Sequence, residues 1–480
     1  MIWNENCICN IIGKSLVILI ELGYKMVGNM LKAKNRAPVR LIIIFIALSL
    51  FFLLNTSSCN LINPQVEEDM GKAKEEVTGE GEGEISAGEK DMTRITLWDC
   101  LDPKERFALI ESVDNFMAEN EYIDVEMVHF RNQEELEDQF EAAGLAGAGP
   151  ELMLGDFDSV QRLVPGNVVK EIVDEADYSL FLDGLVEISE YNNKNYVIPF
   201  RSSDFLALFY NKDLIDKPPV DFEEVIEYCK EVNDFEEWTY GFLLNASEPD
   251  WIIPFIGGYD DWIVNYSSNS LNLDTDATEK TMEFLNYIYN EEKILPYDIE
   301  YEQINELFKS GNAHMIINNI RSIKEYQEAG LSFGVSKIPR AWQSDKYPTP
   351  LISGLGFIIN SNCYGSKLES VNEFIQYMLT EEVQIDWTSS TDTFPVLENI
   401  DRNEKVRNDD IVYGAFQQAK LCRGKPYEEI IRVIRDAVRD NAKSVISGDI
   451  LPGDAASKIQ EDALRLRSGT IPVEEADGTE

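Results

Sequence analysis

The strongest constraint on how this chain folds is the regular alternation of short apolar strands and amphipathic helices that begins at Thr93. The segments "RITLWD", "IDVEMVHF" and "ELMLGD" predict strands, and "DPKERFALIESVDNFMAEN" and "NQEELEDQFEAAG" predict the helices between them. Strands that alternate with helices of about 10–15 residues are typical of βαβ units, in which parallel strands lie side by side. The pattern therefore predicts an α/β fold with mainly parallel sheets that are flanked by helices.

Helical periodicity identifies candidate core residues, because side chains three or four positions apart share one helix face. Cys229 shares such a face with apolar neighbours and is expected to be a small core residue. After Phe394 the chain is predicted to be nearly all helix. We expect the buried faces of three further helices to consist of Phe107, Ile110, Val113 and Met117, of Val371, Phe374, Ile375 and Met378, and of Ala456, Ile459, Ala463 and Leu466.

The charge balance limits the partners that the protein can attract. The 480 residues include 42 basic and 87 acidic ones, which gives a formal net charge of −45. A surface this acidic repels nucleic acid and anionic lipid headgroups, so binding to either by charge is not expected. The hydrophobic content of 44% is ample for well-formed cores, and the length allows two or three domains.

The N-terminal segment predicts export from the cytoplasm. A basic flank that starts at Met30 precedes the apolar run "LIIIFIALSLFFLL" and then "NTSSC", which ends at Cys59. The run suits a signal-peptide core and is shorter than the roughly twenty residues of a membrane-spanning helix. Residues 1–59 resemble a leader with a bacterial lipoprotein signal, which would leave the protein outside the cytoplasm, anchored to the cell membrane by a lipid on Cys59. Thr56 departs from the leucine usual in that motif, so a plain signal peptide or an uncleaved anchor stays open.

Two segments predict no folded structure. Residues 60–92 are rich in Glu and Gly and poor in large apolar side chains, so they are expected to form a disordered acidic tether. Residues 471–480 are expected to form a short tail.

The sequence offers little catalytic chemistry. HExxH, GxSxG, P-loop and dinucleotide-binding motifs do not occur, and the histidines are limited to His129 and His314. The four cysteines that follow Cys59 show no CxxC spacing, so we predict neither a metal site nor a cofactor. Acidic residues are abundant, however, and a pair of carboxylates at glycosidase spacing remains an open alternative.

Aromatic and polar side chains recur where the predicted elements end. In open α/β sheets ligands bind in the crevice beyond the carboxyl ends of the strands. Flat rings that stack on the CH faces of a sugar, together with polar groups that bind its hydroxyls, suit a carbohydrate. The candidate ligand-binding residues are Trp98, Asp99, Asp156, Asp158, Arg201, Trp251, Tyr259, Trp262, Asn318 and Arg321.

Several of these candidates also have structural interpretations. Trp251 and Trp262 could be core anchors of a helical region. Arg201 could pair with Asp204 as ordinary scaffolding. Asp156 and Asp158 could form a turn and a helix N-cap before Ser159.

The order of segments along residues 93–470 resembles one protein family. The segments are "GPELMLGD", "NYVIPFRSSDFLALFYNKDLID", "LFKSGNAHMII" and "SGLGFIINSNCYGSKLESVNEFIQYMLTEEVQ". In this order they are similar to the extracellular solute-binding proteins of ABC importers, in the sugar-binding family that includes maltose-binding protein. The resemblance implies a two-lobe periplasmic-binding-protein-like fold of type II with hinge crossover strands. It places residues 93–202 and 352–398 in lobe 1, and 203–351 and 399–470 in lobe 2.

The resemblance also implies a function. A monomeric receptor of this family, tethered by lipid, captures a carbohydrate in the cleft between its lobes, closes by hinge bending and delivers the ligand to the transmembrane permease subunits without turnover. By position, Trp98, Asp99, Asp156, Arg201, Trp251 and Arg321 map near the ligand. Arg321 stands where many relatives carry a tryptophan that stacks on sugar, and this change is compatible with an acidic or differently oriented sugar. A cell-surface glycosidase and a ligand sensor for a membrane kinase are the alternatives.

Overall fold

The structure is a computed structural model that describes residues 92–297 and 299–469. The predicted leader and signal, the tail and all of the tether except Met92 lie outside the described residues.

Helices are the most frequent regular elements of the described chain. None of the helices within the described residues is both long and apolar enough to cross a membrane. They are α1 (Pro103–Glu119), α2 (Gln133–Leu145), α3 (Ser159–Leu163), α4 (Asp183–Ser189), α5 (Phe222–Val232), α6 (Ile253–Gly257), α7 (Asp276–Asn286), α8 (Tyr301–Lys309), α9 (Ser322–Glu328), α10 (Ser366–Met378), α11 (Glu381–Ser390), α12 (Glu404–Arg407), α13 (Asp410–Ala419), α14 (Glu428–Ile446) and α15 (Pro452–Ser468), with 3-10 turns at Tyr178–Leu180, Pro249–Trp251 and Ile400–Arg402 and a π-helical turn at Tyr287–Glu291.

The strands form two main sheets and two short hairpins. The six-stranded sheet contains β1 (Thr93–Asp99), β2 (Ile123–His129), β3 (Leu152–Asp156), β6 (Ile198–Ser203), β12 (Leu351–Ile359) and β13 (Arg423–Gly424). The three-stranded sheet contains β7 (Leu206–Asn211), β10 (Met315–Asn319) and β11 (Phe333–Ser336), and the hairpins are β4–β5 (Glu190–Tyr191 and Lys194–Asn195) and β8–β9 (Val264–Asn265 and Ser270–Leu271).

The two main sheets are the centres of the two lobes, and they differ in strand direction. In the larger sheet β1 pairs in parallel with β2 and β3, while β12 runs antiparallel to β3 and β6. In the smaller sheet β7 runs antiparallel to both β10 and β11. The α/β prediction is confirmed, but the prediction of mainly parallel sheets is wrong for the smaller one. The parallel pattern holds only where a helix returns the chain between neighbouring strands, as between β1 and β2.

Helix packing follows this division. Helix α10 packs against β1 and α11 against α1 in lobe 1, whereas α13 packs against β11 and α14, α15 and α7 pack together in lobe 2. Strand β13 departs from the predicted boundaries, because it lies within 399–470 yet pairs with β12 in the larger sheet.

The core matches the predicted helix faces in part. Cys229 is fully buried. The predicted face of α10 is confirmed, since Val371, Phe374, Ile375 and Met378 are all buried.

The predicted face of α1 is wrong at its first residue. Phe107 is 73% exposed, and the inner face is instead formed around Leu109 and Glu105. Glu105 lies on this inner face and pairs with Arg201, a contact that a hydrophobic pattern does not reveal. At the end of α15 Leu466 is also exposed.

The chain crosses between the lobes through a hinge strand. Strand β6 ends at Ser203 in the larger sheet, and β7 begins at Leu206 in the smaller one. Asp204 between them adopts a left-handed backbone with φ of 59°, which is uncommon outside glycine. Its carboxylate pairs with Arg321 of lobe 2. The crossover thus turns sharply at a residue whose side chain is held by the lobe that the chain enters.

Two glycines of β12 permit close contact with the hinge strand. A Cβ added at Gly354 would lie 2.1 Å from the backbone oxygen of Arg201, and one at Gly356 would lie 2.6 Å from that of Ile198. The register between β12 and β6 shifts between Leu355 and Gly356. This irregularity brings the backbones together where only hydrogen atoms fit between them.

Candidate functional site

A chain of ion pairs links the end of β3 to a loop of lobe 2. It begins at Asp158, two residues beyond β3, passes through Lys425 next to β13, and continues along α14. The contacts are Asp158–Lys425 (3.5 Å), Lys425–Glu428 (3.5 Å), Glu428–Arg435 (3.7 Å) and Arg435–Asp250 (2.7 Å). These ion pairs connect lobe 1 to lobe 2, and we call the region that they border the groove.

The local structure explains why these side chains face the groove. Glu428 and Arg435 are seven residues apart on α14, so they share one helix face. Asp250 lies in the 3-10 turn opened by Pro249. Arg435 donates two parallel hydrogen bonds to its carboxylate, both of 2.7 Å. Such a bidentate pair fixes the loop against the helix.

Asp156 and Arg201 lie on either side of one residue of β12. Leu355 is in register with Asp156 of β3 on one side and with Arg201 of β6 on the other. Directly opposed residues of neighbouring strands point to the same face of a sheet. The two charged side chains therefore share a face at the end of the larger sheet that leads to the hinge.

The carboxylate of Asp156 lies in a concave environment. Its side chain is exposed to water, yet desolvation by the surrounding protein raises its pKa to about 6. The positive charge of Arg201 opposes this rise in pKa, and the negative charge of Asp158 adds to it. A group that is both accessible and surrounded by protein lies on the wall of a cleft. No hydrogen-bond or ion-pair partner of this carboxylate is found among the described residues, so it is available to a ligand.

Arg201 is held by a buried glutamate. Its Nε lies 2.6 Å from Oε1 of Glu105, and the side chains of the two residues are only 12% and 7% exposed. A second nitrogen of the guanidinium donates to Ser203 Oγ at 3.0 Å. Burial raises the pKa of Glu105, and the charge of Arg201 opposes that rise. The pair fixes the guanidinium beside the hinge. The alternative that Arg201 pairs with Asp204 is wrong.

Trp251 is half-buried at the lobe 2 side of the groove. Its ring Nε1 donates to the backbone oxygen of Ile317 in β10 at 2.8 Å, and its ring meets Tyr301 edge-on at 5.9 Å. It follows Asp250, the last residue of the ion-pair chain. The indole is thus positioned by a strand and keeps part of its surface exposed.

Arg321 borders a second part of the interlobe space. It begins the α9 region after β10, is exposed and pairs with Asp204. A crevice of about 460 Å³ opens beside it, between α9 and the segment around α11. None of the other nine predicted ligand-binding residues lines this crevice.

Asp99 and Asn318 lie in the core rather than in the cleft. Asp99 is fully buried, and its carboxylate pairs with Arg106 and with His129 Nδ1, which lies at 2.7 Å. Asn318 is 1% exposed and donates to Asn305 Oδ1 at 2.8 Å. We therefore assign structural roles to these two residues in place of the predicted ligand binding, because their polar atoms already contact partners within the protein.

Tyr259 and Trp262 also have structural contacts. The hydroxyl of Tyr259 donates to the backbone oxygen of Trp342 at 3.0 Å, within lobe 2. Trp262 is 4% exposed, and the guanidinium of Arg423 lies over its ring at 5.0 Å. The interpretation of Trp262 as a core anchor fits this geometry.

Trp98 lies against aromatic side chains of lobe 1. Its ring is 4.8 Å from that of Phe130 and 6.4 Å from that of the buried Phe140. It is half-buried, and this packing accounts for its orientation.

Sequence reasoning missed the residues that organise the groove. Glu105, Lys425, Glu428, Arg435 and Asp250 were not predicted, although the pair Glu428 and Arg435 at a spacing of seven could have been noticed. Their partners come from distant parts of the chain, so a single sequence does not identify the pairs.

The described residues contain no cluster suited to a metal ion. No group of three or more His, Cys, Asp or Glu side chains with such an arrangement occurs among them. The four described cysteines are free thiols. Burial raises the pKa of the Cys100 thiol to about 12, and the negative charge of Asp156 adds to this effect.

The family of the chain follows from its sequence. Residues 111–412 match the family described as bacterial extracellular solute-binding protein. The chain belongs to this family. It is therefore a solute-binding protein, and the groove between its lobes is the place where a solute is expected to bind.

Two curated relatives resemble the chain over most of their length. It is 26% identical to a maltotriose-binding protein of Pyrococcus abyssi over 345 residues, which is 69% of this chain and 74% of the relative. It is 21% identical to a galactooligosaccharide-binding protein of Bacillus subtilis over 384 residues, which is 77% of this chain and 89% of the relative.

Solved structures share the fold. A cyclo/maltodextrin-binding protein complexed with maltotetraose matches with a TM-score of 0.67 at 21% identity and covers 80% of this chain and 99% of its own. A maltose/maltodextrin-binding domain from Bdellovibrio bacteriovorus bound to maltotriose matches with a TM-score of 0.55 at 27% identity, covering 78% of this chain and 99% of its own. The two-lobe type II fold predicted from the sequence is confirmed.

The raised pKa of Asp156 makes a testable prediction about stability. Its pKa of about 6 in the folded chain exceeds the value near 3.9 of an unfolded aspartate. Folding therefore takes up a proton between these values, and the free energy of unfolding should rise as the pH falls from 7 to 5. Asp156→Asn removes this contribution, so urea unfolding should show the wild-type chain gaining stability relative to the variant over that interval.

The control for this measurement is Glu461→Gln, which changes an exposed carboxylate on α15. If wild type and Asp156→Asn change in parallel between pH 7 and pH 5, the carboxylate of Asp156 does not lie in a desolvating cleft.

Proposed function

We propose that the chain is the substrate-binding component of an ABC importer that captures a sugar or oligosaccharide between its lobes. Membership of the solute-binding family supports this proposal. The two relatives described above are named as a maltotriose-binding and a galactooligosaccharide-binding protein. The observation that carries it is the interlobe groove, in which an accessible carboxylate and a half-buried indole occur with a chain of ion pairs. Carbohydrate recognition needs hydrogen-bond acceptors for hydroxyls and a flat apolar surface for CH groups.

The groove residues have complementary roles in this proposal. Asp156 accepts hydrogen bonds from sugar hydroxyls, because its oxygens are accessible and lack a partner among the described residues. Trp251 offers the open part of its ring to a sugar face. Asp158 and Arg201 contribute polar edges whose positions are fixed by Lys425 and Glu105.

The same geometry favours binding over hydrolysis. A glycosidase needs two carboxylates that flank the scissile bond, one of them acting as a general acid. In this groove Asp158 pairs with Lys425 and Glu105 pairs with Arg201, which leaves Asp156 without a free acidic partner beside it. We infer that the protein releases its ligand unchanged, and that it acts as a monomer which presents the closed state to the transmembrane permease subunits.

Titration calorimetry with maltotriose and galactotriose tests the proposed binding and the role of Trp251. Trp251→Ala should weaken binding by about 1–3 kcal/mol, because a stacking surface is lost from the groove. The matched control is Trp238→Ala, which removes an indole that is 55% exposed in a loop of lobe 2. Its affinity should equal that of the wild type.

Two outcomes would contradict this proposal. Unchanged affinity of Trp251→Ala together with a lower melting temperature would make Trp251 a core residue only. Sustained release of shorter sugars by the purified protein would replace the receptor function with a glycosidase.

We also propose that the protein is attached to the outer face of the cell membrane by a lipid on Cys59. The basic flank, apolar run and small residues before Cys59 support this, and the name of a pneumococcal relative describes it as a solute-binding lipoprotein. In an expressing cell, Cys59→Ala should move the protein from the membrane fraction to the soluble fraction. Retention of Cys59→Ala in the membrane would favour an uncleaved anchor.

A further inference from the structure

The crevice beside Arg321 is lined by an unusual number of cations for so acidic a chain. Lys104 of lobe 1 and Arg321, Lys324 and Lys405 of lobe 2 line it, against the carboxylates of Asp392 and Asp409. In the whole sequence acidic residues outnumber basic ones by 87 to 42. Among the residues that line this crevice, by contrast, basic ones outnumber acidic ones by four to two.

The two acidic residues that line the crevice are already used by the protein. Asp409 caps α13, since its Oδ1 accepts from the backbone nitrogens of Ile411 and Val412 at 3.0 Å. A carboxylate at this position is stabilised by the helix dipole and does not need the lysines. Arg321 pairs with Asp204, and Lys405 Nζ lies 3.4 Å from Asp386 Oδ1. Asp392 is therefore the acidic group that balances the two remaining crevice cations, Lys104 and Lys324.

The carboxylate of Asp392 occupies a position at which two lysines stabilise an anion. Its Oδ1 lies 2.7 Å from Nζ of Lys104, and its Oδ2 lies 3.8 Å from Nζ of Lys324. One carboxylate thus stands between a lysine of lobe 1 and a lysine of lobe 2.

The lysines keep donors for a second anion. Each ammonium group has three donors. The Nζ of Lys104 makes one hydrogen bond among the described residues, to Asp392, while Lys324 is too far from Asp392 for a normal one. Both side chains remain about half exposed, at 42% and 50%. A ligand carboxylate can reach both groups from the open side of the crevice.

The other walls of the crevice suit a polyhydroxylated molecule. The hydroxyls of Thr388 and Ser389 donate to backbone oxygens of their own helix, so their oxygens are free to accept. The half-buried Ile323 and Val412 supply apolar surface. A volume of about 460 Å³ falls within the range of small-molecule sites.

Helix α1 connects the crevice to the groove already described. Lys104 precedes Glu105 on α1, and Glu105 pairs with Arg201 beside Asp156. The charge of Arg321 also acts on Glu105. The residues that face the other lobe therefore include acidic ones around Asp156 and Asp158 and basic ones around Lys104 and Lys324.

We propose that the ligand is an acidic saccharide, whose uronate carboxylate binds between Lys104 and Lys324 while its neutral hydroxyls bind the acidic groove. This inference rests on the proposed function and narrows its substrate class. The carboxylate bridges the two lobes, so it contributes to the closed state as well as to affinity. Because the charges are partly exposed, the contribution should fall as the salt concentration rises.

Calorimetry with matched neutral and acidic sugars tests the inference. The probes are maltotriose and galactotriose and, for each, the same trisaccharide oxidised at C6 of one terminal residue to a uronate. At low ionic strength, the uronate trisaccharide with the higher affinity should bind about tenfold or more tightly than its neutral parent. At about 1 M salt this ratio should approach one.

Lysine variants test whether Lys104 and Lys324 cause the preference for the uronate. Lys104→Gln combined with Lys324→Gln should abolish the preference for the uronate and leave affinity for the neutral sugar within about twofold. Lys458→Gln changes an exposed lysine of α15 and should keep the preference. Melting curves of the double variant check that it is folded, which is expected because both lysines are at the surface.

The outcomes separate this inference from the proposed function. Equal affinity for neutral and acidic sugars in the wild type, or a preference that survives in the double variant, would overturn the acidic-saccharide proposal and leave the receptor function standing. Failure of every neutral and acidic probe to bind would overturn both.

Discussion

The structure depends on one backbone constraint, the passage of the chain from β6 in one sheet to β7 in the other at Asp204. The strand cannot pair in both sheets without a sharp turn, and this turn is made by a left-handed residue whose carboxylate is held by Arg321. Gly354 and Gly356 let β12 approach the same strand closely. The polar residues at the head of an otherwise buried strand are explained by this crossing, because they border the space between the lobes.

Electrostatics divides the interlobe space into two parts. The part around Asp156 is acidic and concave, which raises the pKa of its accessible carboxylate. The part around Lys104 and Lys324 is basic and shares Asp392 between the lobes. In the acidic-saccharide proposal, the opposite charges of these two parts orient a ligand that carries both hydroxyls and an anionic group. Such a division supplies specificity more readily than raw affinity.

The sequence predicted the architecture better than the site, for physical reasons. Strand and helix periodicity reports burial, so the α/β fold and the inner face of α10 were predictable. Asp99 and Asn318 sit at strand ends as a ligand residue would, but their partners His129 and Asn305 come from other elements and use their polar atoms internally. Phe107 was wrongly predicted to be buried, because a hydrophobic pattern treats Glu105 as a surface residue although it is buried. Pairing across a fold is not visible in a single chain.

The proposed function requires that the two lobes joined at this hinge close on a saccharide. Small-angle X-ray scattering of the purified protein, with and without the sugar that calorimetry shows to bind, measures closure directly. The saturated protein should have a smaller radius of gyration and an unchanged molecular mass. Heat of binding without any change in the scattering curve would contradict hinge closure, and the cleft would then be a rigid site.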